Sequence, residues 1–339
     1  MAAGAHILAP ESTSLTSREA AFFREADPWG FILFARNIDT PDGVRRLTLS
    51  LREAVGREAP VFIDQEGGRV QRMGPPHWRD WAPPLEDANR AGAWAEQAMA
   101  LRYRIIAEEL RGVGIDGNCV PCADLARPET HEFLKNRCYG FDLKTVVRIS
   151  HAVSGASLLS GVLPVLKHIP GHGRALVDSH GELPRVAAPL DALRETDFAA
   201  FRALASQPLG MTAHVVYEAL DDRPATLSPA VIDLIRDEIG FGGLLMTDDI
   251  SMGALSGSVA GRSAAAIASG CDLVLHCNGD LAEMEAVAGA AGRLTKRAET
   301  RAEAALAARD GAAHGDHEDF DAEAAEAMFE RIMTGRADA

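Results

Sequence analysis

Short apolar runs alternate with helical patterns from one end of the chain to the other. Eight runs read as strands: Ala5–Leu8, Trp29–Phe34, Pro60–Ile63, Gly114–Val120, Val162–Lys167, Gly210–Val215, Gly243–Thr247 and Cys271–His276. Each is followed by a segment that is helix-like or has room for a helix. Thr40-Pro41 and Ser228-Pro229 each join a capping hydroxyl to a proline at the first helical position. After the first, Val44, Leu47, Leu51 and Val55 keep a 3.6-residue stripe, and after the second Ile232, Ile235 and Ile239 do the same. Between Ala93 and Arg111, the residues Trp94, Gln97, Ala98, Leu101 and Ile105 mark a mainly apolar face. Eight β/α units in order predict an α/β fold, a single (β/α)8 TIM-type barrel over residues 1–339. An open doubly wound sheet with one or two extra strands is the alternative.

The polar residues favour the barrel. Asp64, Lys167 with His168, His214 and Asp248 each follow an apolar run, at the carboxyl ends of the expected strands. Barrel enzymes collect their chemistry at that end, and a packed core gains nothing from repeated charges there. One connection stands out: between His168 and Ala188 the chain reads IPGHGRALVDSHGELPRVA without helical or strand periodicity. Long loops of that kind in compact folds are commonly functional. Gly171 and Gly173 before its middle and Gly181 after it predict a loop that moves. Residues 310–339 turn Ala-, Glu- and Asp-rich, with His314 and His317 among the acids, and predict a solvated terminal helix preceded by a polar turn. Neither an internal repeat nor a second domain boundary is visible.

Charge narrows the partners. Thirty-four Lys and Arg stand against 49 Asp and Glu, a formal net charge of −15. That field repels nucleic acid and anionic membrane surfaces, so neither is expected as a partner. The opening MAAGAHILAPESTS lacks a basic n-region and an apolar h-region, so no signal peptide is expected. No apolar run is long enough to predict a bilayer span. Five cysteines are scattered, and the Cys119-Val-Pro-Cys122 pair lies in an apolar, strand-like segment with no second pair at zinc-like spacing. Buried, reduced thiols are the expectation.

Several residue groups could carry chemistry. In Leu-Leu-Met-Thr-Asp248-Asp249 successive side chains of an extended segment face opposite sides, so one aspartate can point into the barrel mouth while the other anchors structure. Parity alone does not say which. The inward one could be a nucleophile, a metal ligand or an anchor. Asp178 and His180, two positions apart, would share a side if extended; the carboxylate could then orient the imidazole for proton transfer near neutrality. A surface turn with an Asx cap is the plain alternative. Lys167, His168, His172, Asp178 and His180 also resemble a metal site, although Pro170 and Gly171 prevent a helix from aligning His168 and His172. A Schiff-base role for Lys167 is a further option. Asp64-Gln65-Glu66-Gly67-Gly68-Arg69-Val70-Gln71-Arg72 sets acids beside arginines, a fork suited to sugar hydroxyls or an ordinary turn salt bridge. Arg137, in Asn-Arg-Cys-Tyr-Gly, is either a ligand clamp or a loop staple.

Taken together, ILFARN at 32–37, IDQEGGRVQR at 63–72, GIDGNCVPCADL at 114–125, NRCYG at 136–140, KHIPGHGRALVDSHGELP at 167–184, MTAHVVY at 211–217, PATLS at 224–228 and GFGGLLMTDDISM at 240–252 resemble the bacterial β-N-acetylhexosaminidases of glycoside hydrolase family 3. The likeness runs in order from about residue 6 to residue 280. The resemblance implies Asp248, the first of the paired aspartates, as nucleophile. It implies His180 as proton donor oriented by Asp178, and Asp64, Arg72, Arg137, Lys167 and His168 as holders of N-acetylglucosamine. It further implies a single barrel acting as a cytoplasmic monomer in cell-wall recycling. The substrate would be a small glycan, an N-acetylglucosaminyl 1,6-anhydro-muropeptide, cleaved with retention and without metal or organic cofactor. Ile169, Cys122 and Tyr139 depart from the commoner Phe, Val and Phe of the family, and none removes a functional group. A phosphorylase on the same scaffold and a non-catalytic sugar-binding barrel are the competing functions.

Overall fold

The computed structural model describes residues 2–177, 179, 181–313 and 320–337. All eight expected strands form: β1 (Gly4–Leu8), β2 (Pro28–Leu33), β3 (Val61–Ile63), β4 (Gly117–Asn118), β5 (Leu163–Ile169), β6 (Leu209–Thr212), β7 (Leu244–Asp249) and β8 (Leu273–His276). They pair in parallel in chain order, and β8 closes on β1 through His6–Val274, Ile7–Leu275 and Leu8–His276. The open doubly wound alternative is excluded by that closure. Every residue of β1, β2 and β5 is buried. Strands covered on both faces appear in sequence as continuous apolar runs rather than alternations, which is why they were readable.

The expected β4 shrinks from Gly114–Val120 to two residues. Backbone pairing to β3 still reaches Asn118 and Cys119, whose N donates to Ile63 O at 2.9 Å, and a side chain extends it: Asn118 Oδ1 accepts from Gln65 N at 3.0 Å and its Nδ2 donates to Gln65 O at 3.1 Å. Gly117 itself is required, because a Cβ there would lie 2.2 Å from the Phe62 ring.

The helices begin where the caps place them. Thr40 Oγ1 accepts from Gly43 N at 3.1 Å and opens Pro41–Val55, whose Val44, Leu47 and Leu51 are buried. Ser228 Oγ accepts from Val231 N at 3.2 Å and opens Pro229–Asp233, which passes into a π turn over Leu234–Glu238 while Ile232, Ile235 and Ile239 stay buried. The expected face of helix Ala95–Arg111 holds in part: Ala98 and Ile105 are buried and Leu101 is half-buried, whereas Trp94 and Gln97 are exposed and Met99, Tyr103, Ile106 and Leu110 complete the buried side. Arg102 lies on that side as well, fully buried against Asp87. The long connection after β5 is also not structureless throughout, since Arg185–Val186 pairs in parallel with Val216–Tyr217.

The tail differs from expectation too. Helix Ala322–Met333 is not simply solvated: Ala325, Phe329 and Ile332 are buried, and it packs on helices Pro84–Ala91 and Ala95–Arg111. His314 and His317 lie outside the described residues. Beneath this helix burial pushes the Glu109 carboxyl up to about 7, against the lowering hydrogen bond from Arg79 N and with the Glu326 carboxylate adding to the rise. A raised carboxyl favours folding below its unfolded pKa, and that contribution is lost as pH rises through the folded value. Wild type is therefore expected to lose about 2 kcal/mol between pH 5 and pH 8 through this group. Glu109→Gln should keep that stability, and urea titrations at the two pH values measure the difference. Equal pH slopes for both proteins would refute it.

No described helix is long and apolar enough to cross a membrane. All five cysteines are free; four are buried, and Cys277 is half-buried.

Candidate active site

At the carboxyl rim, β3 runs out into Asp64 and Glu66. The turn that follows needs glycine: Gly67 has φ +105°, and a Cβ there would sit 1.9 Å from Arg102 Nη2. Arg102 and the Tyr103 hydroxyl (3.1 Å) both donate to the Glu66 carbonyl and pin the turn from below.

Two acids and three cations interlock above it. Lys167 Nζ, from β5, lies 3.1 Å from Asp64 and 2.6 Å from Glu66. Arg137 grips Glu66 with two bonds of 2.9 and 2.8 Å, and Arg72 Nη2 reaches Asp64 at 3.0 Å. Burial opposes ionisation of Asp64, but Lys167 and Arg72 outweigh it and hold the carboxyl well below the usual range. Burial likewise opposes charge on Glu66, while Arg137 and Lys167 bring it down to about 2. For Lys167 burial is outweighed by Glu66 and Asp64, which raise it above an ordinary lysine. All three groups are charged at neutral pH. Held between two carboxylates, the Lys167 amine is stabilised as the ammonium, a poor nucleophile, which counts against the Schiff-base reading.

His168 follows Lys167 across a cis peptide. Its Nδ1 is 2.7 Å from the Asp124 carboxylate and its Nε2 is 3.5 Å from Arg137 Nη2. Asp124 is fully buried and also accepts from His172 N at 2.6 Å. Burial resists its ionisation, yet His168 and His172 hold its carboxyl far below the usual range. The His172 ring lies 5.5 Å from that of His168, and burial, then His168, lower it to about 4, so it is neutral near pH 7. Among the described residues, Cys122, Asp124 and His168 form one group with metal-like spacing, their donor atoms within 4.8 Å of one another. Their hydrogen bonds already satisfy one another: Cys122 Sγ donates to Asp124 at 3.3 Å beside the His168 contact.

The two aspartates at the end of β7 divide the work. Asp249 accepts from Ser251 N at 3.0 Å, Ser251 Oγ at 2.8 Å and Cys277 N at 3.2 Å. The Asp248 carboxylate takes one hydrogen bond among the described residues, from Asp249 N at 2.8 Å, and both aspartates line the pocket. Burial opposes its ionisation; His214, His168, the Asp249 N–H and Lys167 together outweigh it and lower the carboxyl.

These groups surround a pocket of about 210 Å³ walled by Phe34, Phe133, Met211 and Met252. Asp64, Arg72, Arg137, Lys167, His168 and Asp248 all line it. His214, expected at the same rim, does not: it is fully buried, with Nδ1 2.7 Å from Thr226 Oγ1 and Nε2 3.0 Å from Asp249 O. It supports the aspartate strand end from behind. Asp178 and His180 lie outside the described residues; Ser179, between them, lines the pocket 3.3 Å from His172 Nε2. Gly171 and Gly173, read as freedom to move, are close-approach positions instead. A Cβ on Gly173 would lie 2.0 Å from Leu125 O, whereas Gly181 has open space around it.

Sequence reasoning missed Glu66 and Asp124 as organisers. Glu66 stands two positions after Asp64, a same-side spacing that was available as a signal. Asp124 meets His168 across 44 positions, and no local pattern announces that pairing.

Comparison with known proteins agrees with the barrel. The glycosyl hydrolase family 3 N-terminal domain matches residues 16–307. A β-hexosaminidase of Alkalilimnicola ehrlichii is 36% identical over 288 residues, covering 82% of each chain. One from Stenotrophomonas maltophilia is 35% identical over 290 residues, covering 83% of this chain and 85% of the relative. The crystal structure of NagZ from Neisseria gonorrhoeae in complex with N-trifluoroacetyl-D-glucosamine superposes with a TM-score of 0.82 at 27% identity, over 99% of this chain and 98% of that one. A family 3 β-N-acetylglucosaminidase from Paenibacillus gives 0.85 at 27% identity, over 97% of this chain and 67% of that one. With a closed eight-stranded barrel, a charged pocket at its carboxyl rim and a domain match over most of its length, the chain belongs to glycoside hydrolase family 3 and is a glycoside hydrolase.

Proposed function

We propose that the enzyme is a retaining β-N-acetylhexosaminidase that removes a terminal β-linked N-acetylglucosamine. The observation that carries this reading is the unequal use of the paired aspartates. Both line the pocket, but Asp249 is engaged by Ser251 and Cys277 N, while Asp248, lowered towards its ionised form, takes a single hydrogen bond among the described residues. An anionic oxygen so placed suits attack on an anomeric carbon.

In the proposed reaction Asp248 forms a bond to the anomeric carbon as the glycosidic C–O bond breaks. His180, oriented by Asp178, gives its proton to the departing oxygen. Neutral His180 then takes a proton from water, whose oxygen displaces Asp248 and releases the free sugar. Two displacements at one carbon give net retention. Asp64, Arg72, Arg137, Lys167 and His168 hold the sugar's hydroxyl and acetamido groups; their fixed ion pairs favour a neutral, hydroxyl-rich ligand. The acid/base assignment rests on the Lys-His-x-Pro-Gly-His-Gly…Asp-Ser-His block and its likeness to the family. The same likeness supports a cytoplasmic monomer, a single barrel over the whole chain, acting on N-acetylglucosaminyl 1,6-anhydro-muropeptides in peptidoglycan recycling. No proposed step uses a metal or organic cofactor.

Proton NMR of the first product from an aryl N-acetyl-β-glucosaminide tests the chemistry. Free β-anomer should appear before mutarotation, also in phosphate buffer. The α-anomer appearing first would sink the double displacement, and sugar 1-phosphate would identify a phosphorylase.

A further inference from the structure

The stretch from Asp64 to Pro83 leaves β3 and returns at helix Pro84–Ala91 with few backbone bonds of its own, among them Glu66 N to Val70 O at 2.9 Å and Gly68 N to Trp81 O at 2.7 Å. Side chains supply most of the remaining ties. Two glutamines do most of this. Gln65 Oε1 accepts from Arg72 N at 2.9 Å and Met73 N at 3.1 Å, while its Nε2 donates to Met73 O at 2.7 Å. Gln71 Nε2 donates to Met73 O at 2.9 Å and Arg79 O at 2.8 Å, and its Oε1 accepts from Trp81 N at 3.1 Å. The backbone of Arg72, whose guanidinium holds Asp64, is thus joined to Arg79 and Trp81 through one further residue on each side.

The outer side of Arg79 and Trp81 is covered by the last helix. Phe329 meets the Trp81 ring edge-on, with centroids 5.4 Å apart and planes at 78°. The Arg79 guanidinium lies 4.8 Å from the Trp81 ring centre and 5.5 Å from that of Phe329. It also pairs with Glu330 and, at 3.8 Å, with Glu326. Trp81 and Phe329 are 3% and 5% exposed, so this contact is desolvated. The cation between two rings and two acids fixes the angle at which the stretch is held.

We propose that helix Ala322–Met333 is a positioning element for the sugar-holding Asp64–Arg72 pair, acting through Phe329, Arg79 and Trp81. Asp248 stands on β7, outside this stretch. The helix should therefore govern ground-state grip on the sugar and leave the bond-breaking group in place. The kinetic half of this inference rests on the proposed hexosaminidase activity; the structural half does not.

The test uses the full-length chain with Phe329→Ala and, separately, Arg79→Ala, which leaves the apolar face of the helix intact. With p-nitrophenyl N-acetyl-β-glucosaminide, KM should rise about three- to tenfold while kcat stays within about twofold. Amide hydrogen exchange should quicken at Arg72, Met73 and Trp81, with protection in the barrel strands unchanged. Unaltered KM in both variants, or a uniform loss of protection across the barrel, would overturn the proposal. A wild type without activity on the glycoside would refute the hexosaminidase reading alone, and the exchange pattern would then decide this inference by itself.

Discussion

Asp248→Ala is expected to lower turnover of p-nitrophenyl N-acetyl-β-glucosaminide by on the order of 10⁴-fold or more, because the covalent route loses its nucleophile. Stability should change little. The carboxylate takes a single hydrogen bond among the described residues, from its own neighbour's N–H, so its removal leaves no buried donor dependent on a distant partner. Added azide should restore part of the turnover by entering the vacated space, and the product should be the α-glycosyl azide, inverted at the anomeric carbon. Asp249→Ala is the contrast. It strips partners from Ser251 and Cys277 N, and its damage should appear first as lost stability, on the order of 1–3 kcal/mol. Steady-state kinetics with urea unfolding of both variants separates the two roles. Near-normal activity in a folded Asp248→Ala protein would end the nucleophile assignment.

The second large effect is expected at Glu66, a residue that touches the pocket through others. Replacing it by alanine leaves Lys167 and Arg137, 1% and 7% exposed, facing each other without the carboxylate that neutralises both. Breaking a buried pair from one side typically costs about 3–5 kcal/mol, since the remaining charge has lost its water and its partner. Arg137 loses its carboxylate, whereas Lys167 keeps Asp64 at 3.1 Å, so the lower half of that range is expected. Lys167 should also lose part of the influence that keeps it above an ordinary lysine, because Glu66, at 2.6 Å, is the nearer of its two carboxylates. Urea unfolding at pH 7 measures the loss. An unchanged midpoint would show that Asp64 alone neutralises the pair.

How far the sequence could be read depends on the range of the forces involved. The eight strands were legible because a strand buried on both faces must be apolar along its length, whatever it pairs with. Thr40 and Ser228 were legible because a cap acts over three residues. The rim was legible as a place, since charges that end apolar runs are conspicuous, and six of the proposed residues do converge there. What failed was anything decided by partners far along the chain. Glu66 meets Arg137 across 71 positions, so its burial could not be foreseen from its neighbours. Arg102 is a cation on the buried side of its helix, because Asp87 and the Glu66 carbonyl satisfy it inside. Phe329 sits in an alanine- and acid-rich tail whose composition suggests solvent, and only Trp81 and Arg79 explain why it is covered.

The mutual pairing of Lys167, Arg137 and Arg72 with Asp64 and Glu66 bears on the medium in which the protein works. Mobile ions weaken attractions that run through water and hardly reach those enclosed by protein. The proposed grip on the sugar is therefore built from three cations and two acids that cancel to within one charge and are mostly out of contact with electrolyte. Changes in ionic strength would act on the acidic outer shell and leave the interior lattice, and with it the proposed recognition of an uncharged ring, much as before.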